Sequence, residues 1–375
     1  MTKTFDFAVI GAGIAGISAA YELAAHGSVV VLEQEETTGY HTTSRSAATW
    51  VAGYGTKIER ILTKASREHL VNPPTGFTNH SLTTPLPVML IARSDQIGSL
   101  DAIATDTYDP GLFVRLDSGE AMEACPALRD GYLEGALIEQ ESFEIDVHAL
   151  NQGFLKGMRR RGGEIHTAFA VSKLDKSGSI WHIESRGRAI EAQVVVNAAG
   201  AWCDQIAIMA GIDPCGLIPY RRTAFAFSPP PEIATGECAM VVDVDEKFYF
   251  KPEGSLFMGS LAEETPMRPH DVRPEEDDVA LAIDRINAAT TFNIRHVLRT
   301  WAGLRTFATD RHPLVGFDPR TEGFFWLAGQ GGFGVMTSPA IARLSAGIIT
   351  GAGIPDDLAT AGLEYNLIAP DRLIT

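Results

Sequence analysis

Residues 5–33 read FDFAVIGAGIAGISAAYELAAHGSVVVLE, and this stretch decides the fold. The run from Phe5 to Ile10 predicts a strand, the run from Ile17 to His26 predicts a helix, and the run from Ser28 to Leu32 predicts a second strand. A glycine-rich turn separates the first strand from the helix. The stretch therefore predicts a complete β-α-β unit.

The turn between strand and helix is a GxGxxG motif, GAGIAG at residues 11–16. Gly11 permits a tight turn, Gly13 lets the backbone approach a pyrophosphate at the helix N-terminus, and Gly16 lets the helix pack on the strand. Glu33 ends the next strand about 20 residues further on, where its carboxylate can accept from ribose hydroxyls and repel a 2′-phosphate. The motif indicates a dinucleotide site, but the turn alone does not distinguish NAD from FAD.

The chain has 375 residues, 45% of them hydrophobic and 21% charged, which is enough for about two globular domains. Its formal net charge of −16 gives no general attraction to nucleic acid or anionic lipid. No apolar run approaches the roughly 18 residues of a membrane span, and the apolar start leads straight into the glycine turn rather than into a cleavage site. We therefore expect a cytoplasmic protein with no membrane span and no nucleic-acid partner.

The chain has four scattered cysteines and no CxxC pair, the cysteines being Cys125, Cys203, Cys215 and Cys238. Zinc sites and disulfide frameworks need closer and more regular spacing. The sequence therefore predicts no metal site, and reduced thiols fit a cytoplasmic location.

The rest of the chain alternates between two patterns, which predicts interleaved domains. Prolines and short β-rich runs fill residues 72–128, and residues 218–261 have the pattern of an antiparallel sheet. The first domain then resumes with a predicted helix at 146–161, strands at 164–171 and 192–197, and a strand at 324–328 that is followed by a helix. The predicted fold class is α/β, with a dinucleotide-binding (Rossmann-like) domain from residues 1–80, 146–215 and 310–375 interleaved with an antiparallel-sheet α+β substrate domain from residues 81–145 and 216–309.

Three segments resemble the D-amino-acid oxidase superfamily of FAD flavoproteins. They are GYHTTSRSAA at 39–48, NAAGAW at 197–202 and the glycine loop GQGGFG at 329–334. In that superfamily, small and hydroxylated residues wrap the pyrophosphate, and the glycine loop opens a helix whose backbone amides face the flavin. The resemblance extends from Phe7 to about Arg372. It is nearest to the bacterial D-arginine dehydrogenase subgroup, through GYHTTSRSAA, NPPTGF, VNAAGAWCD, FYFKP and TWAGLR.

The resemblance implies FAD as the cofactor. Some relatives attach the flavin to a cysteine in the segment that corresponds to Trp301–Gly334, and this chain has no cysteine there, so we expect non-covalent FAD. The residues that the resemblance assigns to cofactor binding are Gly11, Gly13, Ile14, Ala15, Gly16, Glu33, Gln34, Thr42, Thr43, Arg45, Ser46, Ala47, Ala48, Val171, Ala199, Gly200, Trp202, Gly303, Arg305, Gly331, Gly332, Phe333, Gly334 and Val335.

The resemblance also implies a clamp for a substrate carboxylate. Arginine suits this task because its planar guanidinium binds a carboxylate through two parallel hydrogen bonds. The clamp is expected from Arg222 and Arg305, with a hydroxyl from Tyr249 and a lid residue, Tyr54. Arg221 is adjacent to Arg222, and alternation on a strand sends the two to opposite faces, so only one of them points inward. The resemblance favours Arg222.

The pocket for the substrate side chain departs from the D-arginine dehydrogenase pattern. Val88 stands where that subgroup has a glutamate for the guanidinium, and Thr49 replaces a histidine beside Val51. The resemblance assigns Gly332 to the same pocket. An unpaired buried cation costs several kcal/mol, so this pattern predicts a neutral D-amino acid. Another acid could come from the loop Asp243–Glu246.

These residues predict oxidative deamination by hydride transfer from Cα to flavin N5, giving a 2-oxo acid. His41 and His312 are interpreted as structural or cofactor-contacting residues, because this chemistry does not demand a protein base. The alternatives are oxidation of a secondary amine such as sarcosine, proline or hydroxyproline, oxidation of D-arginine, and a flavin-binding scaffold without turnover. The retained clamp argues against the last. The sequence leaves the electron acceptor open between oxygen and a quinone.

Overall fold

The computed structural model describes residues 3–105 and 111–374. The strands are β1 (Thr4–Ile10), β2 (Val29–Leu32), β3 (Thr49–Trp50), β4 (Thr83–Pro85), β5 (Val88–Ala92), β6 (Val114–Leu116), β7 (Gly135–Glu139), β8 (Phe143–Ile145), β9 (Glu164–His166), β10 (Lys173–Ser177), β11 (Ile180–Ser185), β12 (Arg188–Asn197), β13 (Ile218–Phe227), β14 (Met240–Asp243), β15 (Tyr249–Glu253), β16 (Leu256–Ser260), β17 (Thr265–Pro266), β18 (Arg299–Phe307), β19 (Leu314–Phe317) and β20 (Phe324–Ala328). The helices are α1 (Ile14–Leu23), α2 (Lys57–Val71), α3 (Ile97–Thr105), α4 (Ser118–Ala124), α5 (Val147–Arg160), α6 (Cys203–Met209), α7 (Glu276–Ala289), α8 (Gly334–Ile349) and α9 (Asp356–Thr360).

The first sheet has a parallel centre in the order β9–β2–β1–β12–β20, with β19 antiparallel to β20. The hairpin β10–β11 pairs with the first half of β12. Strand β2 reads VVVL and is buried at every position, as expected for a parallel strand covered on both faces. Helices α1, α5 and α8 pack together around the core on one face, and the core on the other includes residues of α6.

Helix α1 begins at Ile14, three residues before the predicted Ile17, because the helix starts directly at the glycine turn and Ile17 N–H donates to the Gly13 carbonyl at 3.0 Å. A Cβ on Gly16 would lie 2.0 Å from the Gly11 carbonyl oxygen, and one on Gly11 would lie 2.5 Å from the Ala198 carbonyl oxygen. Gly11 also has a φ of +102°. Both positions therefore require glycine for the tight turn and the close helix–strand packing.

The second sheet runs in the order β17–β13–β16–β15–β14–β5–β7–β6, with β18 also paired to β13. It is antiparallel except for the parallel pair β5–β14. Helix α7 packs against β13 and β16. A small sheet, β3–β8–β4, joins chain segments 49–50, 83–85 and 143–145.

The α/β fold class with interleaved sheets is confirmed. The first sheet takes its strands from residues 4–32, 164–197 and 314–328, and the second from residues 88–92, 114–139 and 218–307. The predicted strand at 164–171 is shorter, ending at His166, whereas β12 begins at Arg188 rather than at residue 192. The domain boundaries themselves stay a prediction. In the described part of the chain, no helix combines the length and apolar character needed to cross a bilayer.

Candidate active site

A cavity lies where the two sheets meet. The volume of this cavity is about 550 Å³. Its walls come from the start of α1, the segment 42–60, strands β13, β14 and β18, and the glycine loop that leads into α8. A concave site beyond the carboxyl ends of parallel strands is where α/β proteins commonly bind dinucleotides.

Two helix N-termini face this cavity. Residues 13–15 of α1 and 334–336 of α8 line it, and neither helix has a side chain hydrogen-bonded to its first turn from the N-cap position. Ile14 N–H at the start of α1 donates to the Thr43 hydroxyl at 3.0 Å. The positive end of the helix dipole favours an anion at each of the two helix N-termini. Gln330 in the glycine loop also leaves its buried Nε2 without a partner among the described residues. These donors fit the pyrophosphate and the electron-rich ring of FAD.

The segment between Thr42 and Ser46 is held against the second sheet. Thr42 Oγ1 donates to the Leu304 carbonyl at 2.8 Å, and the Arg45 guanidinium donates to Asp271 at 2.7 Å and to the Ala302 carbonyl at 3.0 Å. Arg45 itself lines the cavity. Its guanidinium is thus tied to Asp271 and to the Ala302 carbonyl of β18.

Glu33 is buried at the end of β2, and its carboxylate accepts from Ala12 N–H at 2.7 Å and from Glu35 N–H at 3.0 Å. Burial raises the pKa of this carboxyl group. The two backbone bonds hold the carboxylate beside the glycine turn, and Glu33 is not among the residues that line the cavity.

The structure divides the predicted cofactor residues into two groups. Those that line the cavity are Gly13, Ile14, Ala15, Thr42, Thr43, Arg45, Ser46, Ala47, Ala48, Gly200, Gly303, Arg305, Gly331, Gly332, Phe333, Gly334 and Val335. Those that do not line it are Gly11, Gly16, Glu33, Gln34, Val171, Ala199 and Trp202. Gly11 and Gly16 act through packing, because a Cβ on either would collide with the backbone.

Two arginines enter the cavity from neighbouring strands. In the β13–β18 pair, Tyr220 lies opposite Arg305 and Arg222 lies opposite Gly303, so both arginines are on one face of the sheet. Arg221 lies on the other face, where it donates to Glu275, the residue before α7, at 3.0 Å and to Asp278 of α7 at 2.7 Å. Strand alternation therefore places Arg222 on the cavity and Arg221 on the helix.

The Arg222 guanidinium is buried but incompletely bonded. Its Nη2 is 3.4 Å from Glu264, and its Nε has no hydrogen-bond partner among the described residues. Burial lowers the pKa of Arg222, and the positive charge of Arg305 lowers it further. A buried, unsatisfied guanidinium beside a second one is a strong site for a carboxylate.

Tyrosines complete this end of the cavity. Tyr54 lines the same cavity as Arg305, and burial raises the pKa of its hydroxyl, while the positive charge of Arg305 acts to lower it. Its ring lies 4.9 Å from that of Phe333 in the glycine loop. Tyr249 is buried and lines the cavity close to both arginines. A Cβ on Gly332 would lie 2.9 Å from Arg305 Cζ, so glycine at this position makes room for the guanidinium.

The adjoining wall is apolar. Val88 and Val51 line it, together with Leu90, Met240 and Val242. Thr49 also lines the cavity, with its hydroxyl 3.2 Å from the Ala47 carbonyl and 3.5 Å from the Met240 sulfur. This wall offers packing surface rather than charge to a substrate side chain.

The structure adds an acid that the sequence left unresolved. Glu246 lies in the turn between β14 and β15 with a φ of +53°, lines the cavity, and acts electrostatically on Tyr54, Arg222 and Arg305. No ion-pair partner for it occurs among residues 3–105 and 111–374. Asp243 also lines the cavity, but its carboxylate accepts from Gln96 Nε2 at 3.1 Å. The acidic run VDVDE between two strands is the signal for this turn.

The two histidines considered from the sequence are engaged outside the cavity wall. His312 Nδ1 is 3.4 Å from Glu59, and His41 Nε2 is 2.9 Å from Glu35. Neither belongs to the described residues that line the cavity, whereas Glu59 and Arg311 do. Sequence reasoning missed Glu59 and Arg311, because a helical glutamate and a loop arginine have no distinguishing pattern.

Comparisons with known proteins agree with this geometry. The model of the DAO family, described as FAD dependent oxidoreductase, matches residues 6–348. The chain is 23% identical to mitochondrial dimethylglycine dehydrogenase of Mus musculus over 93% of this chain and 43% of that protein, so it spans less than half of that relative's length. It is 23% identical to glycine oxidase of Bacillus licheniformis over 94% of both chains.

A solved structure gives the same fold. L-proline dehydrogenase from P. horikoshii superposes with a TM-score of 0.86 at 20% identity, covering 99% of this chain and 98% of that one. The narrower resemblance to the D-arginine dehydrogenase subgroup stays a prediction. The match over most of the chain, together with the cavity that fits FAD, establishes that the protein belongs to the DAO family of FAD-dependent oxidoreductases.

Proposed function

We propose that the protein oxidises a small α-amino acid at Cα, with the substrate carboxylate bound between Arg222 and Arg305. The observation that carries this proposal is the buried Arg222 guanidinium, whose Nε has no partner among the residues that the structure describes and which shares the cavity with Arg305. Two guanidinium groups bind one carboxylate through charge-assisted hydrogen bonds, which fixes the orientation of Cα. Tyr249 adds a hydroxyl to the same carboxylate.

The cavity residues would hold FAD, which would supply the acceptor for the hydride that leaves Cα, and water would then hydrolyse the imine to a 2-oxo acid and ammonia. The protein's part is to orient the substrate and to exclude water. Tyr54, whose ring packs on that of Phe333 and which lines the cavity with Arg305, closes the cavity over the carboxylate. Positive charge on the two arginines disfavours a substrate ammonium group and so favours the neutral amine that this chemistry needs. Activity therefore rises with pH until the substrate amine is deprotonated.

We propose a neutral D-amino acid as the preferred substrate. The apolar wall of Val88, Val51 and Met240 supports this choice, since it leaves a cationic side chain without a partner there. The D configuration is taken from the sequence resemblance.

Two alternatives have their own support. Dimethylglycine dehydrogenase and L-proline dehydrogenase, by their names, act on N-substituted amines, so a secondary amine is the first alternative. The second is a cationic D-amino acid such as D-arginine, and the Glu246 carboxylate, which lines the cavity and has no ion-pair partner within the described ranges, supports it.

The test is anaerobic flavin reduction with a panel of amines. Each amine would be mixed with the FAD-loaded protein, and the loss of flavin absorbance would be followed. The panel consists of D-leucine, D-methionine, D-phenylalanine, D-arginine, D-lysine, their L-enantiomers, sarcosine and D-proline. We expect the fastest bleaching with a neutral D-amino acid. Faster bleaching by D-arginine supports the Glu246 alternative, and faster bleaching by sarcosine or proline supports the secondary-amine alternative. A flavin that no member of the panel reduces contradicts the proposal. Turnover with oxygen and with an artificial quinone then identifies the class of electron acceptor.

A further inference from the structure

Glu139, at the end of β7, is a buried carboxylate outside the clamp. Its side chain has no exposed surface. One carboxylate oxygen accepts from Ala52 N–H at 2.7 Å and from the Ser142 hydroxyl at 2.9 Å, and the other accepts from Gly53 N–H at 2.9 Å. Three donors therefore converge on this one group.

The two backbone donors belong to the segment that carries Tyr54. This segment is packed on both sides, because a Cβ on Gly53 would lie 2.5 Å from the Phe113 ring and one on Gly55 would lie 2.6 Å from the Phe333 ring. The segment has little freedom to shift along the cavity while Glu139 holds it. The position of the Tyr54 side chain is thus tied to a carboxylate on the second sheet.

A carboxylate is the group that meets this pattern of donors. Burial raises the pKa of Glu139, which shows the cost of placing the charge there, and the bonds from Ala52 and Gly53 counteract that cost. A glutamine would turn its amide nitrogen toward one of the three donors, so one bond would be lost. In the β5–β7 pair, Glu139 lies opposite Val88, which lines the cavity. An apolar neighbour of this kind gives no reason for a charge at position 139. The carboxylate therefore links the wall of the substrate pocket to the segment with the tyrosine.

We propose that Glu139 is a positioning residue, which holds the segment 52–55 so that the Tyr54 hydroxyl meets Arg305 and the substrate carboxylate. This inference rests on the proposed function for the role of Tyr54. It assigns to Glu139 no contact with the substrate.

The first test measures the segment itself. Hydrogen exchange of the Ala52 and Gly53 amides would be followed in the FAD-loaded wild type and in Glu139→Gln. The control is Glu141→Gln, which lies two residues away but pairs on the surface with Arg67 at 3.3 Å. We expect exchange to be about tenfold faster in Glu139→Gln and unchanged in Glu141→Gln. Equal exchange in the wild type and Glu139→Gln overturns the proposal, and this result does not depend on which substrate the enzyme uses.

The second test measures coupling to Tyr54. With the best substrate of the panel, we expect Glu139→Gln to raise KM about five- to tenfold, with unchanged FAD content. In a Tyr54→Ala background, the same substitution should have no further effect, because the residue through which Glu139 acts is gone. Additive effects in the double variant show a general structural role and refute positioning. If no amine reduces the flavin, the proposed function fails, while the exchange result still decides whether Glu139 holds the segment. If Glu139→Gln does not fold, Glu139→Asp, which keeps the charge, is measured in the same two tests.

Discussion

Replacing Arg222 by glutamine tests the clamp against an internal control. Arg221 and Arg222 are consecutive, both are buried, and they point to opposite faces of β13. Arg222→Gln removes the guanidinium that faces the cavity. Arg221→Gln removes one that donates to Glu275 and Asp278 of α7. The two substitutions change the same number of atoms and the same charge, so their difference isolates the effect of orientation.

The expected magnitude follows from the bonds that each arginine makes. A hydrogen bond between charged groups contributes about 1.5–3 kcal/mol, and about 1.4 kcal/mol corresponds to a factor of ten. Arg222→Gln should therefore raise KM for the amino acid roughly 10- to 100-fold, with FAD content near that of the wild type. Arg221→Gln should leave KM within about twofold, but it should lower the free energy of unfolding by about 1–3 kcal/mol, because Asp278 and the buried Glu263 lose their cation.

The assay combines steady-state kinetics with denaturant unfolding of both variants, each loaded with FAD. An unchanged KM in Arg222→Gln places the substrate carboxylate elsewhere. An equal rise of KM in both variants shows that the effect passes through the sheet as a whole, and refutes the assignment of Arg222 by strand alternation.

Three further predictions follow from the site and the core. The flavin should leave with the supernatant on acid or heat precipitation, and flavin that stays with the precipitated polypeptide would show a covalent link. Val88→Glu should shift the preference toward D-arginine, whereas Val88→Gln should not. Because Val88 lies opposite Glu139, Val88→Glu should also lower the free energy of unfolding at neutral pH, measured by denaturant titration. Burial lowers the pKa of His69 to about 4, so the folded protein disfavours the protonated ring. The free energy of unfolding should therefore fall by up to about 3 kcal/mol as the pH drops from 6.5 toward 4, and His69→Phe, which keeps the packing against Phe154, should remove most of that fall.

The controls for these predictions use the same chain. D-leucine turnover by Val88→Glu shows whether the variant is folded and loaded with FAD. A preference for D-leucine that Val88→Glu leaves unchanged would mean that position 88 does not contact the substrate side chain. A pH dependence of unfolding that is the same in His69→Phe and in the wild type would assign the acid sensitivity to other groups.

Local sequence was sufficient for the dinucleotide unit. Strand, glycine turn, helix and acid follow one another within residues 5–33, and each depends on neighbours in the chain, so β1, α1 and β2 could be predicted with errors of a few residues. Alternation along a strand is a local rule, so the sequence also predicted that only one of Arg221 and Arg222 faces the cavity.

The second sheet limited how much of the site could be predicted. The Arg45 guanidinium bonds to Asp271 and to the Ala302 carbonyl, which are more than 200 positions away, and no local pattern predicts these partners. The sequence did not show which acid of the loop Asp243–Glu246 reaches the cavity, whereas the β14–β15 hairpin places Glu246 in the cavity wall. Glu139 ends an ordinary apolar strand, and nothing near it in the sequence shows that it accepts from Ala52 and Gly53.

The sequence by itself determined the nucleotide-binding unit, the family and the residue types that can clamp a carboxylate. Tertiary structure alone decided which charges face the cavity, which are consumed by partners on the other sheet, and which buried acid holds Tyr54 in place. The reason is physical: backbone periodicity and turn geometry act between neighbours in the chain. The partner of a buried charge is set by contacts between segments that the fold brings together from distant positions.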